Sequence, residues 1–551
     1  MSDRFTTALA GVSPVARFFP ILLLLGLAGC GGGTAKSSFV TPPPVQTGLT
    51  GVSPPSGVVG ESVSIFGSGF GSTQGSSTVS FNGTAASSVV TWDDGLITAI
   101  VPTGATSGPV VVSAGGSPFK AGTFTVTKPA TSIAASNFGF QCGPGDTSDC
   151  EGPTKGVVVW PTPLPPGSTP GLLRLHDAGT QWANMDSGGG SYNFTYLDQW
   201  LDLLAAHPGV QASQVFTWVP CWDAPTCSSP ATAPAGTNSP PSDLGAGPGG
   251  SSTAFNNFVT AFVQHCSPNG NCVKNLIHYY EMWNEWDLQY HWTGTMAQVY
   301  QMVAVPTQII RQNDPNAVIM MPSATPDSDT GLGYLADFTN WLKYENDNGR
   351  ISDWVDFHVY LTAQMNDQSS TNTPEVQWGL YNANYLTAQA SIQGWQNVPW
   401  ANTETNFNGA PPPGLNYTCP TLLYTPDDCT GQIVRWQLIH DSNGAAGLYW
   451  YKWNQTIGET AYEPVYAQMM QLLEGGQFTQ PCVFTAGGGA STWTCPFKEA
   501  NGTSALWVWT PNEAGTSYTP NGYSDYIDLT GAKTSVGGPI TIGVMPFLLE
   551  Q

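Results

Sequence analysis

The chain has 551 residues, enough for about three or four domains. It carries 38 acidic residues against 15 Lys and Arg, a formal net charge of −23, and only 10% of its residues are charged. This balance argues against a nucleic-acid partner and against an anionic membrane surface, since both require a basic face. The apolar fraction of 41% supports sizeable cores. The 20 Trp, 20 Tyr and 23 Phe residues favour carbohydrate, because aromatic rings stack on the apolar faces of sugars.

Residues 1–30 have the pattern of an export signal. The apolar run at 18–25 follows a basic segment and is too short to cross a bilayer, which takes about 20 apolar residues. Residues 27–30, Leu-Ala-Gly-Cys, resemble the bacterial lipobox, in which the cysteine is lipidated and becomes the mature N-terminus. The resemblance implies that Cys30 holds the protein at a membrane by lipid alone, at the outer membrane or cell surface because Gly31 rather than Asp follows. The alternative is an ordinary cleaved signal.

Two smaller segments follow the signal. Residues 31–45 are rich in Gly, Ser, Thr and Pro and are predicted to form a flexible tether. Residues 46–128 contain short β-type runs at the spacing of a small all-β sandwich. Their motifs resemble the IPT/TIG immunoglobulin-like module: 54–57 (PPSG), 65–71 (IFGSGFG), 79–83 (VSFNG) and 100–102 (IVP). No catalytic residue types cluster here, so we interpret the segment as a spacer or adhesive module.

Short apolar runs alternate with helical patterns from residue 131 to 475, and eight such units predict a (β/α)8 TIM barrel with insertions. Strands are expected at 133–140, 171–176, 214–219, 276–283, 317–321, 355–360, 399–403 and 447–450, and helices at 196–206, 253–264, 296–312, 334–344, 382–393 and 431–440. The first unit is the least regular, since residues 143–170 show no helical pattern. Residues 476–551 return to β-type runs and are predicted to form a C-terminal β-sandwich packed on the barrel.

Ten cysteines beyond position 30 occur as five pairs that are close in sequence, as expected in an oxidising compartment. None has Cys-x-x-Cys spacing and no histidine cluster accompanies them, so zinc is not expected. Sequence proximity, which does not fix connectivity, predicts the disulfides Cys142–Cys150, Cys221–Cys227, Cys266–Cys272, Cys419–Cys429 and Cys482–Cys495.

Two glutamates stand at predicted strand ends, where the active sites of TIM barrels lie. Glu285 follows the fourth strand and Glu404 the seventh. Glycoside hydrolysis needs such a pair, because one carboxyl group protonates the leaving oxygen while the other attacks the anomeric carbon or activates water. A metal hydrolase would need grouped His and Asp residues, and the 7 histidines are scattered. A serine hydrolase would need a Gly-x-Ser-x-Gly motif, which is absent. We expect no metal and no cofactor.

The order of motifs along the barrel resembles glycoside hydrolase clan A, and family 39 within it. The resemblance rests on 173–177 (LRLHD), 280–285 (YEMWNE), 356–360 (DFHVY), 402–404 (NTE) and 450–453 (WYKW). It implies a retaining O-glycosidase in which Glu285 is the acid/base and Glu404 the nucleophile. Trp286 replaces the Pro that follows the Asn-Glu pair in many clan members, which leaves the sub-family open.

Three further residues at strand ends are candidates for substrate binding or positioning, each with a structural alternative. Asn284 is expected to hydrogen-bond the sugar 2-hydroxyl, or else to be a surface Asn. His358 and Tyr360 alternate toward one face of the sixth strand. They are expected to orient the nucleophile, or else to pack in the core.

The second and eighth strands carry the remaining candidates. Arg174 and His176 share a face of the second strand, and Arg174 pairs either with Glu404 or in a plain ion pair elsewhere. Trp450 is expected to be a sugar platform, although core burial is the common fate of Trp. Glu281 lies within its strand and is expected to be structural.

These observations predict an exported, monomeric glycosidase that acts on a polysaccharide or oligosaccharide. A neutral substrate is favoured because few basic residues are present, while endo or exo action stays open. Glu285 must carry a proton, so its pKa is expected to be raised by the charge of Glu404 and by aromatic burial. The alternative is a non-catalytic, surface glycan-binding lipoprotein on a degenerate barrel. The presence of both glutamates argues against it.

Overall fold

The computed structural model describes residues 51–53, 56–58, 62–86, 88–102, 105, 107–127, 132–141, 157–158, 160, 170–225, 227, 236–246, 249–326, 333–361, 373–407, 426–451, 462–487 and 490–551. Contacts divide the chain into residues 1–46 and 47–551, and every described residue belongs to the second unit. The predicted signal, its Cys30 and the tether lie outside the described residues. Within these ranges, no helix combines the length and the hydropathy that crossing a bilayer requires.

Residues 51–127 form two β-sheets around a core of their own. The strands are β1 (Gly51–Ser53), β2 (Ser56–Val58), β3 (Ser62–Phe66), β4 (Thr78–Phe81), β5 (Thr84–Ala85), β6 (Ser88–Trp92), β7 (Leu96–Ile100), β8 (Gly108–Ala114) and β9 (Ser117–Thr127). One sheet has the order β1-β3-β7-β6 and the other β2-β9-β8-β4-β5. Alternate side chains such as Val63, Ile65, Val110 and Val112 are fully buried between them. The predicted immunoglobulin-like sandwich is confirmed.

Eight parallel strands form a closed barrel in the centre of the chain. The strands of this part are β10 (Phe138–Gln141), β11 (Leu172–Leu175), β12 (Gln211–Val215), β13 (Val219–Pro220), β14 (Gly236–Thr237), β15 (Ile277–Glu281), β16 (Val318–Met320), β17 (Val355–His358), β18 (Trp400–Thr405) and β19 (Gly447–Trp450). The barrel order is β16-β15-β12-β11-β10-β19-β18-β17, and β13 and β14 pair only with each other. Parallel bridges Met320–Trp354 and Ala324–Phe357 close the ring. The predicted TIM barrel is confirmed, and each observed barrel strand overlaps a predicted one.

Helices surround the barrel and bury their apolar faces on it. They are α1 (Trp182–Met185), α2 (Thr195–Ala206), α3 (Thr253–Gln264), α4 (Val273–Leu276), α5 (Met296–Asn313), α6 (Tyr334–Asn348), α7 (Pro374–Gln377), α8 (Ala383–Ser391), α9 (Pro426–Ser442) and α10 (Tyr462–Leu473). In α3, Ser252 caps the N-terminus by accepting a hydrogen bond from the Phe255 amide. Phe255, Phe258 and Phe262 repeat at helical spacing and are fully buried. The cap and the apolar stripe explain why this helix was predictable.

The C-terminal part is a β-sandwich that shares a core with the barrel. Its strands are β20 (Gln477–Phe478), β21 (Val483–Gly487), β22 (Ala490–Lys498), β23 (Ser504–Trp509), β24 (Thr516–Tyr518), β25 (Asp525–Ile527), β26 (Lys533–Ser535), β27 (Ile540–Ile542) and β28 (Phe547–Glu550). β24 and β27 form a small sheet beside the main one. Phe497 and Trp507 belong to the same buried cluster as the barrel residues. Trp509 Nε1 also donates to Glu375 Oε1 of α7 at 2.8 Å.

Three predicted disulfides are confirmed: Cys221–Cys227, Cys266–Cys272 and Cys482–Cys495. Cys429 is also disulfide-bonded, but its predicted partner Cys419 lies outside the described residues, as do Cys142 and Cys150. Disulfides at this density are typical of an oxidising compartment.

Candidate active site

One buried arginine, Arg174, contacts most of the polar residues of the candidate site. Arg174 lies in β11 and is completely buried. Its Nε and Nη2 donate to the two carboxylate oxygens of Glu281 at the end of β15, both at 2.7 Å. Nη1 donates to Glu404 at 2.7 Å and to Gln141 at 2.5 Å, and Nη2 also donates to Asn284 at 2.8 Å. A charge this deep is tolerated because its donors are paired.

The charges of this cluster stabilise one another. Burial alone would lower the pKa of Arg174, but the carboxylates of Glu281 and Glu404 outweigh burial and raise it. Burial would raise the pKa of Glu281, but the charge and hydrogen bonds of Arg174 outweigh it and lower the pKa. Arg174 therefore makes both of the contacts that the sequence left as alternatives, one with Glu404 and one in a separate ion pair. Glu281 is paired with Arg174 inside the barrel, and its structural role stays a prediction.

Glu404 lies in β18 and is held at both carboxylate oxygens. Arg174 donates to Oε2, and the Tyr360 hydroxyl donates to Oε1 at 2.5 Å. His176 Nδ1 lies 4.0 Å from Oε2 and 3.1 Å from the side-chain amide of Gln141. Burial, together with the charge of Arg174, lowers the pKa of His176 to about 3, so this imidazole is neutral. The two donors fix the position of the Glu404 carboxylate.

Glu285 lies in the loop after β15 and faces two histidines. Its φ of 45° is left-handed, which is uncommon for a residue with a side chain. Its amide donates to Ser323 Oγ at 2.9 Å, which helps to fix this backbone. His358 Nδ1 lies 2.8 Å from Oε1 and donates to it, and His291 Nδ1 approaches Oε2 to 3.0 Å. Such backbone conformations recur at functional sites, where the surroundings hold them in place.

These histidines overturn the expectation that the pKa of Glu285 is raised. Burial does act in that direction, but the contacts of His291 and His358 outweigh it and hold the pKa well below its usual value. The pKa of His358 shifts the other way, to about 9, because the nearby Glu404 and Glu285 carboxylates outweigh the effect of burial. Glu285 and His358 therefore hold one proton between them, and that proton titrates as a property of the pair.

Two further buried groups extend the contact behind His358. Thr403 Oγ1 lies 3.1 Å from His358 Nε2 and 2.7 Å from Asp356 Oδ1. Burial, and then the charge of Glu281, raises the pKa of Asp356 to about 8. A continuous line of polar atoms therefore runs from Asp356 to Glu285.

The other predicted site residues have mixed outcomes. Both His358 and Tyr360 were expected to orient Glu404. Tyr360 hydrogen-bonds the Glu404 carboxylate, whereas His358 hydrogen-bonds Glu285 instead. Asn284 is nearly buried and lies between Arg174 and His291.

The prediction that Trp450 is a sugar platform is wrong. It is fully buried and packs edge-on against Tyr466. The ring therefore offers no face to a ligand, and the common fate of Trp in a core prevailed.

Sequence reasoning missed His291, Gln141, Thr403 and Asp356 as members of the site. Asp356 lies in a predicted strand, and Thr403 directly precedes Glu404, so the strand pattern contained a signal for both. Gln141 lies one residue beyond the predicted first strand and is the last residue of β10. His291 lies in a loop, and only the folded chain brings it to Glu285.

The site also brings together potential metal-ligating atoms. Among the described residues, two groups of three side chains each place one such atom within 4.8 Å of the others: Glu281, Asp356 and His358, and Glu285, His358 and Glu404. The chemistry of these groups suits proton transfer better than a cation, because the central guanidinium already supplies positive charge to the carboxylates of Glu281 and Glu404. The second group also shows that one carboxylate oxygen of Glu285 and one of Glu404 lie within 4.8 Å of each other.

Residues 49–126 match the IPT/TIG domain. No curated protein matches the chain in sequence. Several solved structures are distantly similar to it. A family 39 glycoside hydrolase from Bacteroides cellulosilyticus is 13% identical with a TM-score of 0.47, and the match covers 90% of this chain and 96% of that one. A family 44 endoglucanase from Clostridium thermocellum is 12% identical with a TM-score of 0.46, over 77% and 97% of the two chains. A family 30 xylanase from Talaromyces cellulolyticus is 12% identical with a TM-score of 0.43, over 77% and 98%.

Proposed function

We propose that the protein is a retaining glycoside hydrolase with Glu404 as nucleophile and Glu285 as acid/base. The observation that carries the proposal is the approach of these two carboxyl groups, whose nearest oxygens lie within 4.8 Å. Retaining enzymes hold the two groups about 5–5.5 Å apart, whereas inverting enzymes hold them about 6.5–9.5 Å apart to admit a water molecule. The spacing here supports direct attack by a carboxylate.

The contacts of each carboxyl group support its role. Glu404 is held by Arg174 and Tyr360 and attacks the anomeric carbon as the bond to the leaving oxygen breaks. Glu285 gives that oxygen the proton it shares with His358. A glycosyl-enzyme ester forms on Glu404. Water then attacks this ester, Glu285 takes the proton of the water, and the sugar leaves with its original configuration.

Substrate and location follow from other features. Asn284, oriented by Arg174, is suited to hydrogen-bond the sugar 2-hydroxyl. A neutral polysaccharide or oligosaccharide fits a chain with only 15 Lys and Arg residues. The disulfides support export, and lipidation of Cys30 would anchor the enzyme at the outer membrane or cell surface with the IPT/TIG domain as spacer or adhesive module.

A glycan-binding protein without catalytic activity is the competing proposal. It needs neither the close approach of two carboxyl groups nor different partners for each. The paired contacts of Glu285 and Glu404 therefore favour an enzyme over a binding protein.

The test is release of reducing sugar from a panel of glycans, followed by activated aryl glycosides of the best substrate. Glu404→Gln should be inactive on all of them. Glu285→Gln should lose most activity on natural glycans but keep part of it on activated substrates, which need little acid help. Glu474→Gln is the matched control, because Glu474 is exposed and directly follows α10, the last helix of the barrel segment. Equal losses in both site variants on both kinds of substrate would reverse the assignment of roles.

A further inference from the structure

Glu285 faces a conflict of roles that its own contacts do not resolve. As the acid it must hold a proton, yet His291 and His358 stabilise its ionised form. In the second half of the reaction it must be a carboxylate, which the same contacts favour. A group that changed the charge of His358 between the two steps would remove the conflict.

We propose that Asp356, Thr403 and His358 form a buried proton relay that changes the charge beside Glu285 between the two half-reactions. The atoms form one line: Asp356 Oδ1 lies 2.7 Å from Thr403 Oγ1, which lies 3.1 Å from His358 Nε2. His358 Nδ1 then donates to Glu285 Oε1 at 2.8 Å. This inference rests on the proposed function, because Glu285 must act first as acid and then as base.

The relay has two states that differ by two proton shifts. Before reaction, Asp356 is protonated and donates to Thr403, whose hydroxyl donates to Nε2 of a neutral His358. When Glu285 loses its proton to the leaving oxygen, the Asp356 proton passes to Thr403 Oγ1 and the Thr403 proton passes to Nε2. One O–H bond breaks and one forms at Thr403, so that residue is unchanged. His358 becomes a cation beside the new Glu285 carboxylate, and the second half-reaction reverses both shifts.

The surroundings of Asp356 suit a proton store. The side chain is completely buried, and within the described part of the chain its Oδ2 has no hydrogen-bond partner that would stabilise a negative charge. The pKa of Asp356 is raised to about 8, because of burial and then the charge of Glu281, and that of His358 is raised to about 9 by Glu404 and Glu285 against the effect of burial. Both groups therefore favour their protonated forms, and either can hold the proton.

Other charged groups face the relay and set the balance between its states. The charged and titratable groups around His358 and Asp356 come from four strands and one loop. They are Arg174 of β11, Glu281 of β15, Glu285 and His291 of the loop after β15, Glu404 of β18 and Tyr449 of β19. Arg174 Nη2 lies 3.3 Å from His358 Nε2, and as a permanent donor it favours the neutral His358 of the first state. The carboxylate that forms on Glu285 favours the second state.

Thr403 is the residue to change, because its hydroxyl joins Asp356 to His358 in the middle of the proposed line. Thr403→Val keeps the shape and removes the hydroxyl, while Thr403→Ser keeps the hydroxyl. With the relay cut, we expect Thr403→Val to lower kcat on natural glycans by about 10- to 100-fold, with KM little changed and a smaller loss on activated substrates. Thr403→Ser should restore kcat to within a few-fold of wild type. Wild-type kcat in Thr403→Val would overturn the relay.

A second measurement does not depend on hydrolysis. The ¹⁵N shifts of His358 report its titration, which is compared with and without Asp356→Asn, first in wild type and then in Thr403→Val. If the relay exists, Asp356→Asn shifts the His358 titration in wild type and has a much smaller effect once the Thr403 hydroxyl is gone. An equal shift in both backgrounds would mean coupling through space alone and would overturn the proposal. If wild type hydrolyses no glycoside, the proposed function fails, while this comparison still decides whether the relay exists.

Discussion

Replacing Arg174 by Met should cost far more stability than the loss of one positive charge on the surface. The guanidinium donates to two oxygens of Glu281 and to Glu404, Gln141 and Asn284. Met keeps the length of the side chain but leaves Glu281, which is completely buried, without its cation. Breaking a buried pair from one side costs about 3–5 kcal/mol.

The loss should depend on pH, with a sign that follows from Glu281. In wild type the pKa of Glu281 is lowered in the folded state, so its contribution is present above the unfolded value and is lost as pH falls. In Arg174→Met the main contacts that lower that pKa are gone. Burial then outweighs the smaller effects of His358 and His176 and raises the pKa, so the folded variant can take up a proton that neutralises the stranded charge. The difference in unfolding free energy between wild type and Arg174→Met should therefore be larger at pH 7 than at pH 5.

The assay is denaturant unfolding of the barrel at both pH values, followed by tryptophan fluorescence. Arg311→Met is the matched control, because Arg311 pairs with Asp353 at 2.8 Å where both side chains are about two-fifths exposed. Exposed pairs of this kind contribute about 0–1 kcal/mol. Arg174→Met/Glu281→Gln should recover part of the loss, since the stranded charge is removed as well. A loss below about 1 kcal/mol in the single variant, or one that does not change with pH, would refute the reasoning, since a broken buried pair costs several-fold more.

Two further predictions concern the pH profile and the packing of the barrel. His291→Phe removes a contact that holds the pKa of Glu285 down, so the alkaline limb of kcat/KM should move to higher pH; an unchanged limb would mean that His291 does not act on the acid. Gly139→Ala in β10 would place a methyl group on the Tyr449 ring and should cost about 1–3 kcal/mol in unfolding free energy. Gly379→Ala, which meets no atom within 4 Å, is its control and should be neutral or stabilising, and equal effects of the two changes would contradict the packing argument.

The architecture was predictable because it depends on patterns that are local in sequence. Buried parallel strands are typically apolar runs, and the helices between them carry apolar stripes, with side-chain caps at α3 and α5. The third strand shows the limit of this reasoning. It was predicted at 214–219 but is observed at Gln211–Val215, since its start is set by pairing with β11 and β15 rather than by hydrophobicity.

The candidate site was predictable only in part, for a physical reason. Strand ends meet at one rim of a barrel, so Glu285 and Glu404 could be placed together from their positions alone. The hydrogen-bond partners of each carboxyl group depend on the tertiary structure, and these partners determine its pKa. The expectation for the pKa of Glu285 failed because His291 and His358 were not known to contact it.

The distribution of buried cores determines where the protein can be divided into fragments that fold independently. The C-terminal sandwich shares one core with the barrel, and the backbone of Ile133 bonds to both Gly475 and Gly476 where the two meet. The core of residues 51–127 is separate. Removing the IPT/TIG domain should therefore leave a unit of barrel and C-terminal sandwich that melts in one transition, whereas a cut near residue 476 should leave neither fragment soluble. The first boundary is a place where evolution or an engineer can exchange modules, and the second is not.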